Sequence, residues 1–240
     1  MRERRWIGEA AVLGVLLAFG LCGAAWWGGN AILAAKKLER TVTVKGLAER
    51  EVPANQAIWP IRYTVASNDL ADLTSQLERS TQLILDFLER HGFKEDEISV
   101  TAPSITDKRA QSYGDASREA FRFVAAHVVT VFTERVDAVR TTRESLLDLS
   151  RQGVAVTSDD YQARVEYLYT NLNEIKPVMI EEATRAAREV AEKFAQDSRS
   201  KLGKIRQANQ GQFSISDRDS NTPHIKNVRV VSTLEYYLVD

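Results

Sequence analysis

At 240 residues the chain has room for one large domain or two small ones with a full core, and 44% apolar with 27% charged residues argues against disorder. The net charge of −1 hides an asymmetry: residues 1–40 carry six bases and three acids, leaving 26 of the 32 bases and 30 of the 33 acids in the remainder. That mildly acidic remainder has no general electrostatic reason to bind nucleic acid, and a single cysteine, Cys22, excludes an intrachain disulfide.

Residues 10–35, AAVLGVLLAFGLCGAAWWGGNAILAA, contain no charged side chain, and Asn30 is the only strongly polar interruption. A bilayer core about 30 Å thick needs about 20 helical residues. Trp6 and the pair Trp26–Trp27 are spaced to meet the two interfaces, where Trp is favoured. The expected organisation is a cytoplasmic tail over residues 1–9, a transmembrane signal anchor over 10–29, a juxtamembrane linker over 30–40 and an α+β domain over 41–240. A cleaved signal peptide is the competing reading, since MRERR is a suitable basic start; the apolar run, however, exceeds the usual 7–15 residues. A buried soluble helix is a third. The FGL before Cys22 ends in Leu, where a lipoprotein signal wants a small residue. Three arginines precede the run and Lys36, Lys37 and Arg40 follow it, so the charge rule gives a weak vote for a cytoplasmic N-terminus.

Beyond the linker, TVTVKGLAEREV and NQAIWPIRYTVAS read as two strands joined as a hairpin through Val52, Pro53, Ala54 and Asn55, with Pro60 marking an edge or bulge. A helix opens at Ser67, Asn68 or Asp69 and buries Leu70, Leu73, Leu77, Ile84 and Leu88. It stops at His91 and Gly92, glycine tolerating the left-handed turn, with Phe93 just beyond. ISVTAPSI is the next strand. The stretch 106–119 is polar and predicts a protruding loop. AFRFVAAHVVTVFTERV is apolar on both alternating faces, which predicts a central strand covered on both sides. A helix over Asp137–Gln152 ends at Gly153, and ARVEYLYT is a further strand.

The stretch Asn173–Gly203 is the longest amphipathic helix signal. Met179, Ala183, Ala186, Val190 and Phe194 recur at helical intervals and predict a stripe laid on a sheet. Glu181 to Arg185 and Glu189 to Lys193 supply favourable pairs on the other face. KIRQANQGQFSIS and VRVVSTLEYYLV close the chain as strands around a polar loop, SDRDSNTPHIKN. The order is ββαββαβαββ: an α+β fold in which helices cover one face of a mixed sheet.

No phosphate loop, HExxH, CxxC or GxSxG pattern is present. His91 suits a helix C-terminus, His127 a hydrogen-bonded core or interface position, and His224 a solvated one. Asp217, Asp219 and Asn221 imitate half a calcium loop, but Thr222 replaces the required Gly and Val228 the required Glu, so they read as a polar turn. Arg135, Arg140, Arg143 and Arg151 lack interleaved aromatics and read as a solvated face rather than a nucleic-acid groove. Tyr236 and Tyr237 point to opposite faces of the last strand. No catalytic, cofactor-binding or metal-ligating residue is assigned.

TVTVKGLAEREVPANQA, LERHGFKEDEISV, AFRFVAAHVVTVFTERVDAV and EEATRAAREVAEKFAQDSRSKLGKI together resemble the SIMPL-domain family over essentially all of residues 41–240. The resemblance implies a bacterial cell-envelope α+β protein, with some members similar to an oxidative-stress defence protein and some forming ring or channel-like homo-oligomers. It brings no active site. The expected protein is therefore a non-enzymatic, single-pass inner-membrane protein with its domain in the periplasm. Its partners would be the lipid bilayer through residues 10–29, further copies of itself and other envelope proteins, without nucleic acid, in a scaffold or stress-protective role. A small-molecule-binding or hydrolytic envelope enzyme, with a site assembled only in the fold, is the alternative.

Overall fold

The computed structural model describes residues 14, 16–31, 40–110, 120–157 and 163–239. The predicted tail over 1–9, most of the linker over 30–40 and most of the loop over 106–119 lie outside these residues. Of the predicted anchor, residues 14 and 16–29 are described; residue 14 is helical, and residues 16–29 belong to a helix, α1 (residues 16–31), whose side chains are exposed throughout. Among the described residues no helix is long and apolar enough to cross a membrane.

The rest is α+β. Ten strands are described: β1 (Thr41–Pro53), β2 (Gln56–Ser67), β3 (Ile98–Val100), β4 (Ser104–Asp107), β5 (Phe123–Thr133), β6 (Ala155–Thr157), β7 (Glu166–Leu168), β8 (Lys201–Gln210), β9 (Ser214–Asp217) and β10 (Ile225–Val239). Between them lie α2 (Leu70–Arg90), α3 (Val136–Glu144), α4 (Leu147–Arg151) and α5 (Leu172–Asp197). Two sheets replace the single mixed sheet expected: one runs β1-β10-β8 with β9 also on β10, the other β3-β5-β2-β6 with β4 on β5 and β7 on β2. The pairings of β8 with β10, and of β5, β6 and β7 with β2, are antiparallel, as are those of β3 and β4 with β5.

The expected β1–β2 hairpin does not form, because β1 pairs in the first sheet and β2 in the second. The short link between them is held by other segments. Ala54 N–H donates to His224 O at 2.8 Å and Asn55 N–H to Leu168 O at 2.9 Å. The Asn55 amide donates to Thr170 Oγ1 and Asn171 Oδ1 at 2.8 and 3.0 Å, and its carbonyl accepts from Thr170 N–H at 2.9 Å. These bonds satisfy the donors that a tight turn would otherwise satisfy internally.

The chain divides into two compact units. The first comprises residues 1–49, 176–214 and 229–240. Its helix α5 was expected to bury Ala186, Val190 and Phe194, but the buried row is Met179, Ala183, Ala187, Ala191 and Ala195. Val190 and Phe194 are 38% and 53% exposed. Close approach decides this: a Cβ on Gly46 of β1 would lie 1.9 Å from Ala183 O and 2.4 Å from Ala187 N, so backbone rides on backbone and only the i, i+4 alanine ridge fits. Val44, Leu234 and Tyr236 complete this core with Ala187 and Ala191.

The second unit comprises residues 50–175 and 215–228. The alternate residues Ala57, Trp59, Ile61 and Tyr63 of β2 and Ala125, Val129 and Val131 of β5 form the buried face, packed with Leu73, Leu77, Ile84, Phe87 and Leu88 of α2, Val139 of α3 and Leu149 of α4. β5 is thus buried on one side, not two: Phe132 is 50% exposed, and Val124, Ala126, Val128 and Thr130 are half-buried. Its second apolar row carries β-branched residues that suit a strand on either face. Pro60 sits inside β2, where β7 covers Gln56–Ile58 and β6 covers Arg62–Thr64. It falls in the gap between those short strands, so no ladder bond is lost on that side.

Asp69 caps α2, its carboxylate accepting from Asp72 N–H at 2.9 Å, and Leu70, expected in the core, is 47% exposed. The helix end is a Schellman turn: Phe93 N–H reaches Leu88 O at 3.0 Å and Gly92 N–H reaches Glu89 O at 2.8 Å, with Gly92 at φ 81°. The helix expected over Asp137–Gln152 is broken at Ser145–Leu146 into α3 and α4. It ends on the same motif at Gly153, φ 91°, with Val154 N–H on Leu149 O at 3.0 Å.

Candidate functional site

Two polar constellations in the second unit stand out. In the first, the β2–β5 register sets Tyr63 directly opposite His127, both on the buried face. Tyr63 Oη lies 2.8 Å from His127 Nδ1 and 2.7 Å from Thr81 Oγ1, and His127 Nε2 lies 2.6 Å from Thr101 O. A carbonyl only accepts, so Nε2 carries a proton, and in the neutral ring Nδ1 then accepts from the Tyr63 hydroxyl. Thr81 then donates to Tyr63 Oη or to Leu77 O, 2.9 Å away. Burial pushes the Tyr63 phenol up, a shift that the Thr81 contact opposes. Both imidazole nitrogens are engaged and no carboxylate is among their partners, so this arrangement fixes β5 to β2, α2 and the Thr101 backbone without providing an acid–base pair. His127 is where the sequence places it, in the hydrogen-bonded core.

The second constellation is an open cleft of about 540 Å³ beside α3 and α4. Arg140, Arg143, Leu147, Tyr167, Asn221 and His224 are among its lining residues. Arg140 pairs with Asp137 at 2.8 Å, three residues back on α3. Among the described residues the Arg143 guanidinium has no hydrogen-bond or ion-pair partner. Leu147, the first residue of α4, is 68% exposed. His224 was expected in solvent but is half-buried, with its ring 6.0 Å from that of Tyr167. Desolvation, reinforced by the Arg140 charge and opposed by Asp137, lowers its pKa below the usual imidazole value, so it is mainly neutral at pH 7.

The other basic residues expected on this face are paired. Arg135 donates to Glu97 Oε2 at 2.6 Å and to Gly92 O at 2.9 Å, and Arg151 pairs with Asp148 at 2.7 Å. Partial burial alone would raise the Glu97 carboxyl; the Arg135 guanidinium, the Lys94 N–H and the Thr133 hydroxyl outweigh it and hold the pKa at about 2. The polar turn also forms: Asp219 accepts from the backbone N–H groups of Asn221 and Thr222, both at 2.8 Å, and from the Thr222 hydroxyl, while Asp217 pairs with Lys226. These bonds occupy the carboxylates that resembled calcium ligands. His91 closes α2, its Nδ1–H donating to Phe87 O at 2.8 Å. Tyr236 is buried and Tyr237 half-buried, so Tyr236 offers no surface for contact.

Sequence reasoning missed Tyr63, Thr81 and Thr101 as partners of His127, and it missed the cleft. Tyr63 lies in a stretch that reads as a strand, but its pairing with His127 depends on a register between segments 64 residues apart. Exposure of Leu147 follows from the break at Ser145–Leu146, which carries no glycine or proline.

No curated protein matches the chain. The family model SIMPL, described as a protein of unknown function (DUF541), matches residues 42–231. That match spans most of the 240 residues, and the chain belongs to the SIMPL family.

Proposed function

We propose that this SIMPL protein is a cell-envelope protein whose domain assembles with copies of itself in a scaffold or stress-protective role. Residues 10–29 would hold it in the bacterial inner membrane, with residues 41–240 on the periplasmic side. The observation that carries the assembly is β8. This ten-residue strand ends its sheet, is hydrogen-bonded to β10 on one side, and is exposed from Lys204 through Gln210. Its charges stop at Arg206, so Gln207–Gln210 lacks the lysines that ordinarily protect a free edge. β1 ends the same sheet on the other side of β10. Two unlike edges that no other strand covers among the described residues suit head-to-tail addition, which closes a ring when the rotation allows.

The anchor rests on the uncharged run of residues 10–35 and on the exposed apolar side chains of α1. Leu16, Leu17, Phe19, Leu21, Trp26 and Trp27 all face outward, and a helix apolar on every side needs a non-aqueous surrounding. Light scattering of the full chain extracted in mild detergent should give a protein mass several times that of one chain, and mass spectrometry of the same sample should recover the N-terminal peptide. A single-chain mass would remove the assembly. A mature N-terminus after residue 25, or release into the soluble fraction without detergent, would remove the anchor.

A further inference from the structure

The cleft beside α3 and α4 combines features that a solvated helix surface does not need. Arg143 lines it and has no partner among the described residues, whereas its neighbour Arg140 shares charge with Asp137. Across the break between the helices, Leu147 stands 68% exposed at the same cleft, whereas Tyr167, also among the lining residues, is buried at 5% exposure. A volume of about 540 Å³ falls within the range of small-ligand pockets.

We propose that this cleft binds a small amphipathic monocarboxylate, its head on Arg143 with Arg140 alongside, and its apolar or aromatic body over Leu147. A planar fork of donors with no other partner is the group that best meets a carboxylate, because it engages both oxygens at once. Glu144 also lines the cleft and opposes a second negative charge on the ligand, which favours a monoanion over a phosphate dianion. The apolar body follows from Leu147: covering it removes a large hydrophobic side chain from water, a gain that a purely ionic ligand would not obtain. The cleft is open, so the complex is expected to be weak, with a Kd on the order of 0.1–1 mM.

The test uses the full chain in lipid nanodiscs and isothermal titration calorimetry, with empty nanodiscs as the blank. The probe is 2-naphthoate and its neutral counterpart is 2-naphthamide. The naphthoate should bind saturably at one site per chain, and the amide about tenfold more weakly or worse, since a charge-assisted pair is lost. Arg143→Gln should weaken naphthoate by a similar factor and leave the amide nearly unchanged, while Leu147→Ser should weaken both probes severalfold. Both positions are exposed, so circular dichroism should show the fold intact. Heat no greater than that of empty nanodiscs, equal affinity for the two probes, or indifference to Arg143→Gln would overturn the proposal. Indifference to Leu147→Ser, or inorganic phosphate binding as tightly as naphthoate, would overturn the apolar half of it.

Discussion

Gly46→Ala is the sharpest perturbation of the first unit. The added Cβ would lie 1.9 Å from Ala183 O, 2.4 Å from Ala187 N and 2.9 Å from Ala187 Cβ. A carbon rests at about 3.3 Å from a carbonyl oxygen, so α5 would have to move outward by about 1.4 Å. A radial gap of about 0.5–1 Å already forfeits a quarter to a half of a dispersion contact. Met179, Ala183, Ala187 and Ala191, all fully buried, would open together. Overpacking ordinarily costs about 1–3 kcal/mol, and here the nearest obstructions are backbone atoms that no rotamer change moves, so a loss of about 3 kcal/mol is expected. For a chain of this size that is a fall in melting temperature of about 6–12 °C. Circular dichroism melts of the detergent-solubilised chain would read it. The double variant with Ala187→Gly should remain destabilised, because the Ala183 carbonyl and the Ala187 nitrogen are still in place. A Gly46→Ala melt within about 2 °C of the parent, or rescue by Ala187→Gly, would refute the backbone-on-backbone contact.

Arg199 occupies the left-handed position of the turn that ends α5, at φ 55°, where the ends of α2 and α4 use glycine; Arg199→Gly should raise stability by about 0.5–1 kcal/mol, and an unchanged or lower melt would contradict this. Glu97→Gln should cost about 1–2 kcal/mol at pH 7, discounted for the exposure of Arg135. Because the folded-state pKa of Glu97 is lowered from 4.5 to about 2, its contribution is present above 4.5 and lost as pH falls toward 2, so the gap between parent and variant should close over that window. A gap constant through it in chemical denaturation would contradict the assignment. The Tyr236 hydroxyl is buried without a hydrogen-bond partner among the described residues; Tyr236→Phe should be neutral or stabilising by up to about 1 kcal/mol, and a loss of that size would mean that the hydroxyl is satisfied after all.

Local signals were legible and long-range ones were not. Gly92 and Gly153 marked helix ends, and the start of α2 was narrowed to Ser67, Asn68 or Asp69, because capping and left-handed turns depend on the residue at one position. Residue content identified β2 as a strand and alternation identified β10 as one, but neither could say that β1 leaves β2 for β10, because pairing is decided by partners more than a hundred residues away. The α5 stripe was read from side-chain size, favouring Val190 and Phe194, whereas Gly46 on another element selects the alanine ridge. His127 was placed correctly in the core by its apolar neighbours. Its partners and the cleft at Arg143 and Leu147 arise only where segments distant in sequence meet.

Assembly through the sheet edge requires β8 to be an interface and not a free edge. Amide hydrogen exchange over Lys201–Gln210, in the full chain extracted in mild detergent, separates these outcomes. In an edge strand bonded only to β10, alternate amides point to solvent and exchange at nearly unprotected rates; in a strand flanked on both sides, all are protected. Consecutive amides through Gln207–Gln210 should be protected in the assembled protein, falling to the alternating pattern on dilution. Fast alternating exchange in a sample whose mass is that of several chains would place the contact elsewhere, and the same pattern in a single-chain sample would contradict assembly itself.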